Sequence, residues 1–148
     1  MNTAANQINE EVQIRSLINK RLEAVRSRNV SASTSSLAPN ILSFDVVGQL
    51  RLIGSEASRK RAEEWFSSFK GAIEYEIRDL RITAGHDVAF AHGLSHVSAL
   101  RSDGGQLDMW WRTTVCFTRT DGRWIVQHEH NSVPFDADSG KAAIDLKP

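Results

Sequence analysis

The chain has 148 residues, 41% of them hydrophobic, and its 18 Lys and Arg are balanced by 18 Asp and Glu. That size supports one domain, with a core at about residues 7–135 and a small, polar, flexible tail at 136–148. Zero formal charge speaks against a nucleic-acid binder working by phosphate neutralisation, no apolar run reaches the roughly 18–20 residues of a membrane span, and the lone Cys116 excludes an internal disulfide or a multi-cysteine zinc site.

Met1 to Glu10 is polar, without the apolar stretch of a secretory leader, so the default location is cytoplasmic. Residues 7–28 carry apolar positions at helical spacing: Ile8, Val12, Leu17, Ile18, Leu22 and Val25. One apolar stripe means a helix that covers a core from outside. Ser31–Ser36 reads as a loop or a short weak helix, and Pro39-Asn40 as a break. Ile41 to Val47 predicts a strand ending at Gly48, and Gln49 to Ile53 a second short one. A helix follows over 56–69, with Ser55 as N-cap, Glu56 at its positive end, Trp65, Phe66 and Phe69 on its apolar face, and Gly71 as C-cap.

Beyond Gly71 the period drops to two. Strands are predicted at about 72–83, 87–101, 106–119 and 123–133, with turns at Ala84–His86, Ser102–Gly105 and Asp121-Gly122. Helices followed by an antiparallel meander predict an α+β fold with helices on one sheet face.

Register then distributes the side chains. A two-residue loop at Asp121-Gly122 and a four-residue loop at Ser102–Gly105 set His92 opposite Val115 and Val115 opposite His128. Alternation collects Phe90, His92, Leu94, His96, Trp111, Thr113, Val115, Phe117, Trp124, Val126, His128, His130 and Ser132 on one face. Ala89, Ala91, Gly93, Ser95, Val97, Trp110, Arg112, Cys116 and Glu129 fall on the other. The histidine face is the bulkier, so the helices should cover it, leaving a small-molecule pocket. Trp65, Phe69, Phe90, His96, Trp111, Thr113, His128 and Ser132 are then candidate ligand contacts. The opposite face, with small residues along its middle strand, predicts a homodimer through the sheet, with Arg112 and Glu129 as an ion pair there. Cys116 reads as a small buried hydrophobe.

Histidines on a pocket face can move protons near neutral pH, or can be hydrogen-bonded core residues. A metal is not expected, because no carboxylate or thiol shares their face. Asp45, among apolar neighbours in Ser43-Phe44-Asp45-Val46-Val47-Gly48, is the candidate base; the bland alternative is an Asp capping a turn.

The order helix, Phe-Asp-Val-Val-Gly strand, Gly-Ser helix and long meander resembles the SnoaL-like and ketosteroid-isomerase-like branch of the nuclear transport factor 2 superfamily. The resemblance covers about residues 7–135. The ending Asp121-Gly122-Arg123-Trp124…His128-Glu129-His130-Asn131-Ser132-Val133-Pro134 carries most of it and is also similar to the association domain of the calcium/calmodulin-dependent kinase. The resemblance implies a cone-shaped half-barrel, about three helices over its concave face, a deep pocket between them, and dimerisation through the sheet. Asp45-Val46-Val47-Gly48 matches the segment holding the isomerases' general base, which gives Asp45 that role. Their oxyanion-holding tyrosine has no counterpart on the first helix, and the chain's one tyrosine is Tyr75. Pairing Asp45 with His92, His128 or His130 resembles the SnoaL-type cyclases and related dehydratases instead. The expectation is cofactor-free proton abstraction beside a carbonyl, in a small hydrophobic ligand, with Asp45 as base and His92 and His130 as donors. The alternatives are a non-catalytic ligand-binding or oligomerisation domain of the same fold, and a nuclear-transport role requiring an exposed hydrophobic cleft.

Overall fold

The computed structural model describes residues 3–148. Along the chain come α1 (Thr3–Arg26), α2 (Val30–Thr34), β1 (Leu37–Phe44), β2 (Leu52–Ile53), α3 (Ser55–Ser67), β3 (Phe69–Ala84), β4 (Val88–Arg101), β5 (Gln106–Thr120) and β6 (Arg123–Ser132). The strands form one curved, unclosed sheet in the order β2-β1-β6-β5-β4-β3, antiparallel throughout except for the parallel β1–β6 pair. The helices pack on its concave face. Among the described residues, no helix is long and apolar enough to cross a membrane.

The stripe of α1 is shorter than its sequence period suggests. Ile14, Ile18 and Ala24 are buried, with Leu17, Leu22 and Val25 beside them, while Ile8 and Val12 are exposed, lying before the buried stretch. Asn29 caps α2 by accepting the Ala32 N–H at 3.0 Å. Pro39-Asn40 does not break the chain. It lies inside β1, where the β1–β6 register shifts between Leu37 and Leu42, so the missing proline N–H falls in an interrupted ladder. The residue before α3 is Gly54 at φ 93°, which makes Ser55 the first helical residue rather than the cap. The helix closes at Ser68, whose N–H bonds to Trp65 O, and Gly71 lies inside β3 instead of capping.

Strand β3 carries a bulge between Arg78 and Arg81, with Asp79 at φ 55°. The bulge presses on Gly93 of β4. A Cβ there would lie 2.6 Å from Ile77 Cγ2 and 2.9 Å from the Arg78 carbonyl oxygen, so only glycine admits this bend.

Two one-residue differences reverse the expected placement of the histidines. At the β4–β5 hairpin, Leu100 rather than Arg101 pairs with Gln106, and the Arg101 N–H closes on Gly105 O at 2.7 Å. His92 therefore faces Thr114, and Ala91 faces Val115. At the β5–β6 hairpin the two-residue Asp121-Gly122 turn is as expected and holds through Phe117–Val126. A bulge then intervenes, pairing Cys116 with His128 and Val115 with Glu129. A shift of one residue moves every later side chain to the other face.

The concave, helix-covered face thus carries Ala89, Ala91, Gly93, Ser95 and Val97 of β4 with Met109, Trp111, Thr113, Val115 and Phe117 of β5. Glu129 and Asn131 of β6 join them. Phe90, His92, Leu94, His96, His128, His130 and Ser132 lie on the convex face with Trp110, Arg112, Thr114 and Cys116. The expected Arg112–Glu129 pair does not exist: Arg112 Nε donates to Ser132 Oγ at 3.1 Å, and Glu129 turns inward. After β6 the tail is mostly exposed. It folds on itself through a Phe135–Ala142 bridge and a turn in which Asp136 Oδ1 accepts the Asp138 and Ser139 N–H groups, which hold its carboxyl below the usual range.

Candidate functional site

Between the helices and the concave face lies a two-lobed chamber. The inner lobe, about 180 Å³, is bordered by Ile18, Arg21, Leu22 and Val25 of α1, Ala62 and Trp65 of α3, and Ala91, Gly93 and Thr113 of the sheet. The outer lobe, about 390 Å³, is bordered by Ser43 and Asp45–Val47, by Arg61 and Trp65, and by Val97, Arg101, Leu107, Met109 and Trp111. Both share Ser58, Ala62, Trp65, Tyr75, Glu129 and Asn131, which makes them adjoining parts of one space. The small residues of β4 create the room: an alanine, a glycine and a serine stand where larger side chains would reach the helices.

A polarised line of hydroxyls crosses the floor. Thr113 donates to Asn131 Oδ1 at 3.0 Å, which leaves its oxygen to accept the Ser95 proton at 2.6 Å. The Tyr75 hydroxyl donates to Ser95 Oγ across 3.5 Å, a long contact. Asn131 Oδ1 also accepts Trp111 Nε1–H at 3.2 Å, so its amide N–H₂ remains available to the chamber. Tyr75 stacks on Trp111, their centroids 5.8 Å apart. Burial pushes the Tyr75 phenol above its ordinary value; the Ser95 contact and Arg21 oppose this, while Glu129 and Asp45 add to it. A phenol of that kind stays protonated and donates.

Two ion pairs bound the space. Arg21 from α1 reaches across to Glu129 on β6, each side chain 20% exposed, and Arg21 Nε is buried without a hydrogen-bond partner. Toward the mouth, Arg61 Nε of α3 donates to Asp45 Oδ2 at 3.2 Å. Asp45 Oδ1 accepts the Val46 N–H at 2.8 Å. Asp45 can sit there because β1 ends at Phe44 and the chain turns along the chamber rim. Ser43, two residues earlier on the same face, has a buried hydroxyl without a partner.

Asp45, Trp65, Trp111 and Thr113 are brought together on the chamber wall. Phe69 is buried beside them, edge-on to Trp65, in the core rather than on that wall. The expected histidine pocket does not form. His92 borders the inner lobe, but its ring lies with Phe90 on the convex face, 6.4 Å between centroids. His96 stacks on Trp110 at 4.3 Å and pairs with Asp108 at 2.9 Å. His128 meets the Leu42 carbonyl oxygen at 2.6 Å, and both His128 and His130 pack edge-on to Phe44. Ser132 holds Arg112 outside. The half-buried thiol of Cys116 is on the same convex face, raised by desolvation. Sequence reasoning missed Tyr75, Asn131, Glu129, Arg21, Arg61 and Arg101. Among the described residues, no three His, Cys, Asp or Glu side chains group as metal ligands.

Comparison with known proteins agrees with this architecture. The family model for the SnoaL-like domain matches residues 14–136. A nuclear transport factor 2-like protein of unknown function from Pseudomonas putida KT2440 is 34% identical, with a TM-score of 0.85 over 93% of this chain and 96% of that one. A nuclear transport factor 2-like superfamily protein from Salmonella enterica superposes at TM-score 0.76 with 15% identity, over 87% and 94% of the two chains. A candidate dehydratase of the same family from Streptomyces avermitilis superposes at 0.74 with 14% identity, over 85% and 97%, a likeness of fold alone. No functionally curated protein matches. The matched span, the helix-covered half-barrel and the chamber inside it place the chain in the SnoaL-like family of the nuclear transport factor 2-like superfamily.

Proposed function

We propose that the chamber binds a small apolar carbonyl compound and that Asp45 removes a proton from the carbon beside the carbonyl. The observation that carries this reading is that Asp45 and the half-buried Tyr75 border the same 390 Å³ lobe, from the rim and from the sheet. The α-carbon proton passes to the Asp45 carboxylate. The C–H electron pair forms the new carbon–carbon π bond, and the carbonyl π pair moves onto the oxygen, an enolate oxygen held by the Tyr75 hydroxyl and the Asn131 amide. Return of the proton to another carbon is isomerisation; loss of a β-hydroxyl, which leaves as water with the proton from Asp45, is dehydration; attack of the enolate carbon on a second carbonyl, whose oxygen takes that proton, is cyclisation. Tyr75 and Asn131 take the donor role expected of His92 and His130, whose rings face away. Arg61 holds one oxygen of the base and must share it with substrate.

The test is deuterium uptake. A panel of aryl and alicyclic ketones is incubated with the protein in D₂O, and exchange at the α-carbon is followed by NMR. Wild type should accelerate exchange for at least one ligand that it binds, and Asp45→Asn should lower that rate by about 10²–10⁴-fold. Binding without acceleration would support the second reading, a non-catalytic binding module. That reading has its own observation, since both Asp45 oxygens are already engaged, by Arg61 and the Val46 N–H.

The convex face is the proposed homodimer surface, now with a different composition. Phe90 is 45% exposed there, and Trp110, His96 and Leu94 stand uncovered by any helix. Sedimentation should show two copies, and Trp110→Glu should release the monomer; a monomeric wild type at tens of micromolar would remove the idea.

A further inference from the structure

The chamber is bordered by five fully charged side chains, and four of them pair off. Arg21 is matched by Glu129 and Arg61 by Asp45. Arg101 is left over. It closes β4, follows Val97 and Ala99 on the concave face, and borders the outer lobe together with Leu107, Met109 and Trp111. Its backbone N–H is spent on Gly105 O, but among the described residues its guanidinium has neither a hydrogen-bond partner nor a carboxylate within 4 Å. A half-buried guanidinium next to an apolar wall gains most from an anion that it can grip with two N–H groups.

We infer that the molecule taken up by this chamber is a monocarboxylate, its apolar body against Trp111 and Met109 and its acid group on Arg101 at the mouth. One unpaired positive charge matches a single carboxylate; a dianion would leave an excess negative charge beside Asp45. The rim position also orients the molecule, since an acid held at Arg101 sends the rest of the ligand inward towards Tyr75. The inference rests on reading the chamber as a ligand site, and it narrows the substrate from carbonyl compounds to oxo acids with an apolar body.

The experiment is equilibrium binding with a matched pair, 4-oxo-4-phenylbutanoate and its methyl ester, measured by calorimetry on the full chain. Wild type should bind the acid at least about tenfold more tightly than the ester. Arg101→Gln should bring the acid down to the ester's affinity and leave the ester within about twofold, while Arg101→Lys, which keeps the charge, should retain part of the preference. A wild type that fails to bind the acid, or binds it no better than the ester, overturns the inference. So does an Arg101→Gln protein that keeps the preference or weakens both ligands alike. The readout needs no turnover: deuterium uptake by the same ketone reports separately on Asp45, so loss of the proton-transfer reading would leave the acid preference standing, and the reverse.

Discussion

Tyr75→Phe is expected to cut α-proton exchange by about 10²–10³-fold while changing ligand affinity only a few-fold. In the ground state the ligand's carbonyl oxygen is a modest acceptor; in the enolate it carries most of a negative charge, and a donor fixed in a dry site then matters far more. The Tyr75 hydroxyl is fixed from below by its ring stack on Trp111, and its 3.5 Å contact with Ser95 is long enough to be exchanged for a ligand oxygen. For the same reason the substitution should cost at most about 1 kcal/mol of stability. A parallel loss of affinity and rate would mean that Tyr75 only shapes the cavity. Because Tyr75 is the sole tyrosine, ultraviolet titration reads it directly. Its raised phenol should be less than half ionised at pH 10 in the folded chain. The folded state holds this proton more tightly than the unfolded one. The stabilising contribution is therefore whole below about pH 10 and disappears as pH climbs through the folded value. Full ionisation near pH 10 with the fold intact would place the hydroxyl in water and remove it as the enolate donor.

The architecture was legible because its signals are local. Asp121-Gly122 announces its hairpin, the change of period after Gly71 announces the meander, and the Asp45-Val46-Val47-Gly48 segment announces where β1 reaches the rim. The facing of the sheet was not legible, because it hangs on single residues. Whether the Ser102–Gly105 turn begins at Arg101 or Ser102 decides whether His92 or Ala91 looks inward, and neither choice breaks a composition rule. The bulge that follows Val126 carries no Gly or Pro to mark it, yet it sends His128 and His130 out and brings Glu129 and Asn131 in. One pattern in the sequence has two physical meanings. Small residues at alternate positions, Ala89-x-Ala91-x-Gly93-x-Ser95, suggest close approach of another sheet. Inside a half-barrel the same pattern leaves volume for a ligand, and Gly93 is also forced by the bulge of β3. The polar groups that sequence reasoning missed arrive from five elements, α1, α3, β3, β4 and β6, so no short motif contains them.

Arg21→Met should be the most destabilising polar substitution in the chamber, at about 2–3 kcal/mol, a fall in Tm of roughly 5–10 °C for a chain of this size. A wholly buried pair broken on one side costs about 3–5 kcal/mol; the 20% exposure of each partner lowers the figure here. What the variant leaves behind is the Glu129 carboxylate without its counter-charge, beside Tyr75 and Asn131. Removing both charges removes that penalty, so Arg21→Met with Glu129→Met should recover more than half of the lost stability, and the cycle should give a coupling above about 1 kcal/mol. Additive effects, or an unchanged Tm in the single variant, would show that the pair is an incidental contact. The double variant should nonetheless be useless as a binder. Two methionines would fill the inner lobe that Ala91 and Gly93 leave open, and would replace a buried Arg21 Nε that has no partner of its own. An apolar filling would then be nearly as stable as the native pair, which locates the reason for keeping Arg21 and Glu129: they span the gap between α1 and the sheet while leaving the space between them empty for a ligand. Stability that returns in the double variant together with ligand affinity would contradict that account, because the chamber would then hold its ligand without the polar pair that keeps it open.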